Sequence, residues 1–230
     1  MLRLGFIHQP QKSSLPSAKK KLQFIYLHGF ASSPQSAKAL YLADCFAAAQ
    51  IPLQIPDLNQ GDFTQLTLTR QLQQISAQLP DDDSVTLIGS SFGGLTATWL
   101  AQQHPQIQRL ILLAPAFAFL SHWLPQLGTE KIQQWQQQRY LMVYHYGEKR
   151  SLPLSYEFAR DVTQYNDDAL LRPTPTLIIH GTQDPVIPIQ SSRDFAEKRP
   201  WVQLLEFDSD HSLNNVMPEI WQAIQSFCQL

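Results

Sequence analysis

Apolar residues fall along this chain in two alternating patterns. Short, nearly continuous runs at 22–27 (LQFIYL), 51–55, 85–88 (VTLI), 109–114 (RLILLA), 176–179 (TLII) and 202–207 read as buried strands. Segments with apolar residues near helical spacing lie between them and predict helices over 37–50, 63–79, 95–104, 191–198 and 216–229. Ser33 fits an N-cap for the first of these, with Pro34 at the first helical position. An almost uniformly apolar strand such as 109–114 belongs where helices cover both faces of a parallel sheet. The alternation predicts an α/β fold with a doubly wound, mostly parallel sheet. Ligands in such sheets sit at the carboxyl ends of the strands. His28, Ser91, Ala114, His180 and Asp208 all fall at or just after those ends.

Two segments depart from this rhythm. Residues 1–21 are polar and broken by Pro10 and Pro16, which suggests a flexible arm with at most a short edge strand at 4–7. The interval 115–172 is too long for an ordinary connection, and it carries Phe117, Phe119, Trp123, Trp135, Tyr140, Tyr144, Tyr146, Tyr156 and Phe158. It reads as a helical cap of about 116–171, inserted after the strand at 109–114 and lying over the site. The glutamine-rich 133–138 forms its solvated face. Residues 22–230 then form one domain.

Composition narrows the function. A net charge of -2 and the lack of a basic cluster argue against nucleic acid, since only Lys19, Lys20 and Lys21 run together. Cys45 and Cys228 lie far apart in predicted helices and read as reduced thiols. No apolar h-region precedes Pro10, and no run approaches the ~20 apolar residues of a membrane span. These features predict a soluble cytoplasmic protein.

The chemistry centres on Gly89-Ser90-Ser91-Phe92-Gly93, a G-x-S-x-G placed between a predicted strand and a predicted helix. Such a turn holds its serine in a strained conformation, at ~1–3 kcal/mol, and needs tiny residues beside it. Ser91 is therefore the candidate nucleophile. A serine hydroxyl needs a base, and that base needs an orienting group. Downstream, the loop 180–188 holds Asp184 as its only acid, and the loop 207–212 holds His211 as its only histidine. His211 is the candidate general base and Asp184 its orienting partner. The backbone N–H groups of Phe30 and Phe92 are the candidate oxyanion donors. His180 reads as a buried structural histidine; His104, His122 and His145 read as surface or lining residues. Asp208 and Asp210 read as turn residues. No metal-ligand spacing, dinucleotide fingerprint or P-loop occurs, so no metal or cofactor is expected.

With these residues assembled, the chain resembles the α/β-hydrolase superfamily from residue 22 onward. The resemblance is carried by YLHGF (26–30), PDL (56–58), GSSFGG (89–94), HGTQDPVIP (180–188) and the Asp210-His211 pair. HGFASSPQSAK (28–38) and GSSFGG resemble the small YqiA-type esterases, a branch linked with hydrolysis of short acyl esters or thioesters. The aromatic cap and the longer N-terminal arm depart from that branch. The reading is a serine hydrolase that cleaves small-molecule carboxylic esters of short to medium acyl chain through an acyl-enzyme. The alternatives are a thioesterase or acyltransferase on the same triad, or a catalytically weak hydrolase-like binding protein.

Overall fold

The computed structural model describes residues 22–81 and 83–230; the expected arm at 1–21, with its edge strand and lysines, lies outside the described residues. Six parallel strands form the central sheet: β1 (Leu22–Leu27), β2 (Leu53–Gln54), β3 (Ser84–Ser90), β4 (Ile107–Leu113), β7 (Thr176–Gly181) and β8 (Val202–Phe207). Their spatial order is β2-β1-β3-β4-β7-β8. The chain runs outward from β1 to β2 and returns across β1 to β3. The strand order therefore reverses between β1 and β3, where open α/β sheets place their crevice.

Pleating sends successive side chains to opposite faces. Phe24 and Tyr26 pack with Ala39, Leu42 and Phe46 of α1 (Ala37–Ala48) and with Ile220 and Ile224 of α8 (Met217–Cys228). Ile25 and Leu27 join the opposite core with Leu72 and Ile75 of α2 (Leu68–Ser76), Leu95 and Leu100 of α3 (Phe92–Gln103) and Phe195 of α7 (Gln190–Glu197). Helices on both faces explain why the central strands lack polar alternation. Among the described residues no helix is long and apolar enough to cross a membrane.

Three helix starts differ from the sequence expectation, the first being α3, which begins at Phe92 directly after Ser91 rather than at Leu95. Residues 33–36 form a turn in which Ser36 N–H donates to the Ser33 carbonyl, and Ser36, not Ser33, caps α1 by accepting from Ala39 N–H. The expected helix at 63–79 begins at Leu68. Thr67 accepts from Arg70 N–H as its cap, and residues 63–65 form a separate 3-10 turn capped by Asp62.

The insertion between β4 and β7 contains α4 (Phe119–Leu127), α5 (Thr129–Gln138) and α6 (Glu157–Val162), but it is not purely helical. β5 (Tyr140–His145) and β6 (Arg150–Ser155) pair as an antiparallel hairpin. The reason is a period of two: Leu141 and His145 turn inward while Tyr140, Met142 and Tyr144 stay exposed. Trp135 Nε1–H donates to the Leu154 carbonyl at 2.9 Å, and Tyr146 N–H donates to the Ala31 carbonyl at 2.8 Å. These bonds tie the insertion to itself and to the loop after β1.

Candidate active site

Ser91 is the single residue between β3 and α3, with φ 53° and ψ −118°. This is a conformation that L-residues avoid, and it is held from several sides. Ser91 N–H donates to the Leu113 carbonyl at 2.9 Å, and the Ser91 carbonyl accepts from Gly94 and Ala116. The turn is possible because strand and helix pass without side chains between them. A Cβ at Gly89 would collide with the Gly93 backbone, and one at Gly93 with the Leu27 and His28 carbonyls. The result points Ser91 Oγ into a cleft of about 670 Å³ at the carboxyl edge of the sheet.

Two further loops deliver side chains to the same place. His211, after β8, has Nε2 3.0 Å from Ser91 Oγ and Nδ1 2.6 Å from Asp184 Oδ2. Asp184, after β7, has a fully buried side chain. Its Oδ1 accepts from the amides of Val186 at 2.8 Å and Ile187 at 2.9 Å, and its Oδ2 also accepts from His180 Nε2 at 3.1 Å. Burial alone would raise the Asp184 pKa. The hydrogen bonds from His180 and His211, the charge of His211 and the Ile187 amide outweigh it and hold the carboxyl well below the usual range. An ionised Asp184 requires His211 to carry its proton on Nδ1, which leaves Nε2 free to accept from Ser91.

Phe30 N–H and Phe92 N–H have no acceptor among the described residues. Phe92 opens α3, so its amide is one of the free donors of a helix N-terminus. The Phe30 ring packs among Phe63, Phe92, Phe119, Trp123 and Phe158, which fixes the loop that carries its amide.

The remaining sequence candidates lie elsewhere. His180 is fully buried between Ser192 Oγ and the Ile187 carbonyl, as a structural histidine would be, yet it also reaches Asp184, a contact no sequence pattern signalled. His28 Nε2 accepts from Leu58 N–H at 2.9 Å and fastens the β1 loop to the segment after β2. His104 bonds Ser76, His122 bonds Ser191, and His145 accepts from Glu148 N–H. Asp208 accepts from Gln183, and Asp210 accepts from the amide and hydroxyl of Ser212. Cys45 and Cys228 are unbonded. Among the described residues no group of three or more His, Cys, Asp or Glu could hold a metal ion.

The cleft is lined by aromatic residues, Phe30, Phe119, Trp123, Tyr144 and Tyr146, and by polar ones, among them Ser36, Lys38, Asp210 and Ser212. Lys38 and the hairpin tyrosines were not singled out as site residues by the sequence. Lys38 ends the 28–38 motif, which was its only signal.

Residues 23–228 match the model of the Uncharacterised protein family (UPF0227), and the chain belongs to that family. Its fold is similar to several solved structures. One is Est1E from Butyrivibrio proteoclasticus with ferulic acid bound, at TM-score 0.75 and 20% identity, covering 92% of this chain and 90% of that one. A second is alpha/beta hydrolase domain-containing protein 10 from mouse, at TM-score 0.74 and 18% identity, covering 96% and 97%. A third is the monoacylglycerol lipase of Paleococcus ferrophilus, at TM-score 0.66 and 18% identity, covering 89% and 93%. The fold is that of the α/β-hydrolases.

Proposed function

We propose that this protein is a serine hydrolase that cleaves carboxylic esters of short to medium acyl chain through an acyl-enzyme. The observation that carries this reading is the run of contacts from Asp184 Oδ2 through His211 to Ser91 Oγ, at 2.6 Å and 3.0 Å. Ser91 attacks the ester carbonyl while His211 Nε2 takes its proton. Asp184 keeps the imidazole in the required tautomer and stabilises the imidazolium. The tetrahedral oxyanion lies between Phe30 N–H and Phe92 N–H, each donor contributing about 2.7–4 kcal/mol by analogy with a measured case. His211 returns the proton to the departing alkoxide. Water, activated by the same imidazole, then releases the acid and restores Ser91 Oγ–H.

The aromatic lining of the cleft suits an apolar acyl group. Est1E with ferulic acid bound and the monoacylglycerol lipase, both of this fold, add support by analogy. The test is fluorophosphonate labelling with peptide mapping, run beside p-nitrophenyl esters from acetate to laurate and the matching thioesters. Labelling at Ser91 with an ester chain-length optimum is expected. Folded protein that neither labels nor turns over any ester would overturn the reading. Preference for the thioesters would replace the substrate and keep the mechanism.

A further inference from the structure

Lys38 stands where a helix least favours a cation. It is the second residue of α1, in the first turn, where the helix dipole presents its positive end. Burial pushes its ammonium pKa down to about 8, against the opposing pull of Asp184 and Asp210. A residue unfavourable on both counts needs a compensating contact. Lys38 Nζ donates to the Ser212 carbonyl at 2.8 Å and reaches the His211 carbonyl at 3.5 Å.

The loop that carries His211 is shaped from within by Asp210, which accepts from Ser212 N–H at 2.9 Å, and by Asn215, which donates to the Asp208 carbonyl. Those bonds set its form; its position relative to Ser91 is set by contacts with its surroundings, among them the Asp184 bond to the His211 ring and Leu213 buried in the core beside α1. On the β7 side, Gln183 holds Asp208 through its side chain and the Ser209 carbonyl through its amide. On the side of α1, Lys38 supplies a polar attachment through its ammonium. We infer that Lys38 is a positioning residue: its ammonium brackets the carbonyls of His211 and Ser212 and so aims His211 Nε2 at Ser91. The inference rests on the acyl-transfer reading above. The same stretch, 28–38, thus carries both Phe30, the candidate oxyanion donor, and Lys38, the bracket for the base.

The groups facing Lys38 are Asp184 from the loop after β7, and Asp210 and His211 from the loop after β8. As pH rises through about 8 the ammonium becomes an amine, a weaker donor to a carbonyl, and the bracket slackens. Turnover therefore falls on the alkaline side.

The experiment compares wild type, Lys38→Met and Lys38→Arg by pH profiles of kcat and KM for one p-nitrophenyl ester. Hydrogen exchange of the amides at 209–214 is measured on the same samples. Lys38→Met should lower kcat about tenfold or more at nearly unchanged KM, because a displaced base costs rate and leaves acyl binding intact. It should also speed loop exchange. Lys38→Arg should recover most of kcat and lose the alkaline decline, since a guanidinium does not titrate there. Lys38→Met that keeps both the wild-type kcat and the alkaline limb overturns the inference. If wild type neither labels with fluorophosphonate nor hydrolyses esters, the hydrolase reading fails separately. Loop exchange then decides the bracket, and exchange unchanged in Lys38→Met overturns it.

Discussion

His180 and His211 donate to the same oxygen of Asp184, at 3.1 Å and 2.6 Å, while two backbone amides occupy the other. Four donors thus converge on a fully buried carboxylate side chain. A buried charge is tolerable only when it is paired and hydrogen-bonded, so His180 does more than fill the core. It helps keep Asp184 ionised, which keeps His211 in the tautomer that can accept from Ser91.

This predicts how stability depends on pH. The folded-state pKa of Asp184 lies below its unfolded value, so its contribution is present above the unfolded value of ~4 and is lost as pH falls through the folded one. His180→Ala removes a donor from the carboxylate and raises that folded pKa. The acid-unfolding midpoint, followed by circular dichroism, should move to higher pH, and neutral-pH stability should drop by about 1–3 kcal/mol. An unchanged acid midpoint would mean that His180 is mere packing.

Ser91→Ala should abolish turnover and fluorophosphonate labelling with thermal stability nearly unchanged, because alanine inherits the same φ of 53°. Ser91→Gly should be equally inactive and also more stable, by roughly 1 kcal/mol, since glycine accepts positive φ without a Cβ penalty. Differential scanning calorimetry of the pair separates the strain from the chemistry. A glycine variant no more stable than the alanine variant would remove strain from the account.

Gly93→Ala puts a Cβ into the Leu27 and His28 carbonyls, which are backbone groups that cannot step aside. The expected cost is several kcal/mol, in the range reserved for identifiable steric conflicts. Chemical denaturation, or the soluble yield if the variant fails to fold, measures it. Gly128→Ala is the control: its φ of 78° and ψ of 154° also disfavour a Cβ, but nothing lies within 4 Å of one, so it should cost only the backbone strain of ~1–3 kcal/mol, less than Gly93→Ala.

The sheet was legible because its central strands are apolar on both faces and helices such as α2, α7 and α8 are amphipathic, so period and run length carried the fold. Ser91, Asp184 and His211 could be picked out as candidates because each follows such a strand: the G-x-S-x-G frame chooses Ser91 over its neighbour Ser90, and Asp184 and His211 are the only acid and the only histidine of their loops. Helix starts were less so: Ser33 and Ser36 are chemically equivalent caps three residues apart, and the turn at 33–36 decides between them. The β5–β6 hairpin was hidden for another reason. Its exposed positions are Tyr140, Met142 and Tyr144, apolar enough to mask the polar alternation that marks a half-buried strand. The contacts of Lys38 with the His211 loop span more than 170 positions, and no local pattern encodes a meeting of that kind.

The aromatic lining of the cleft should set acyl length. Trp123 is half-buried and lines the cleft, stacked on Phe119 at 5.4 Å and edge-on to Phe30 at 5.1 Å and to Trp135 at 5.6 Å. Trp123→Ala removes the largest ring of that lining and opens the cleft toward α5. Its stability cost should be about 2 kcal/mol, less than for a fully enclosed ring. The optimum of kcat/KM along a p-nitrophenyl ester series should shift to longer chains, with short esters losing apparent affinity because fewer apolar contacts remain for them. Tyr146 lines the mouth of the same cleft but is 72% exposed, so Tyr146→Ala should leave the chain-length optimum in place. Equal shifts in the two variants would mean that the acyl chain runs out along the hairpin rather than under α4.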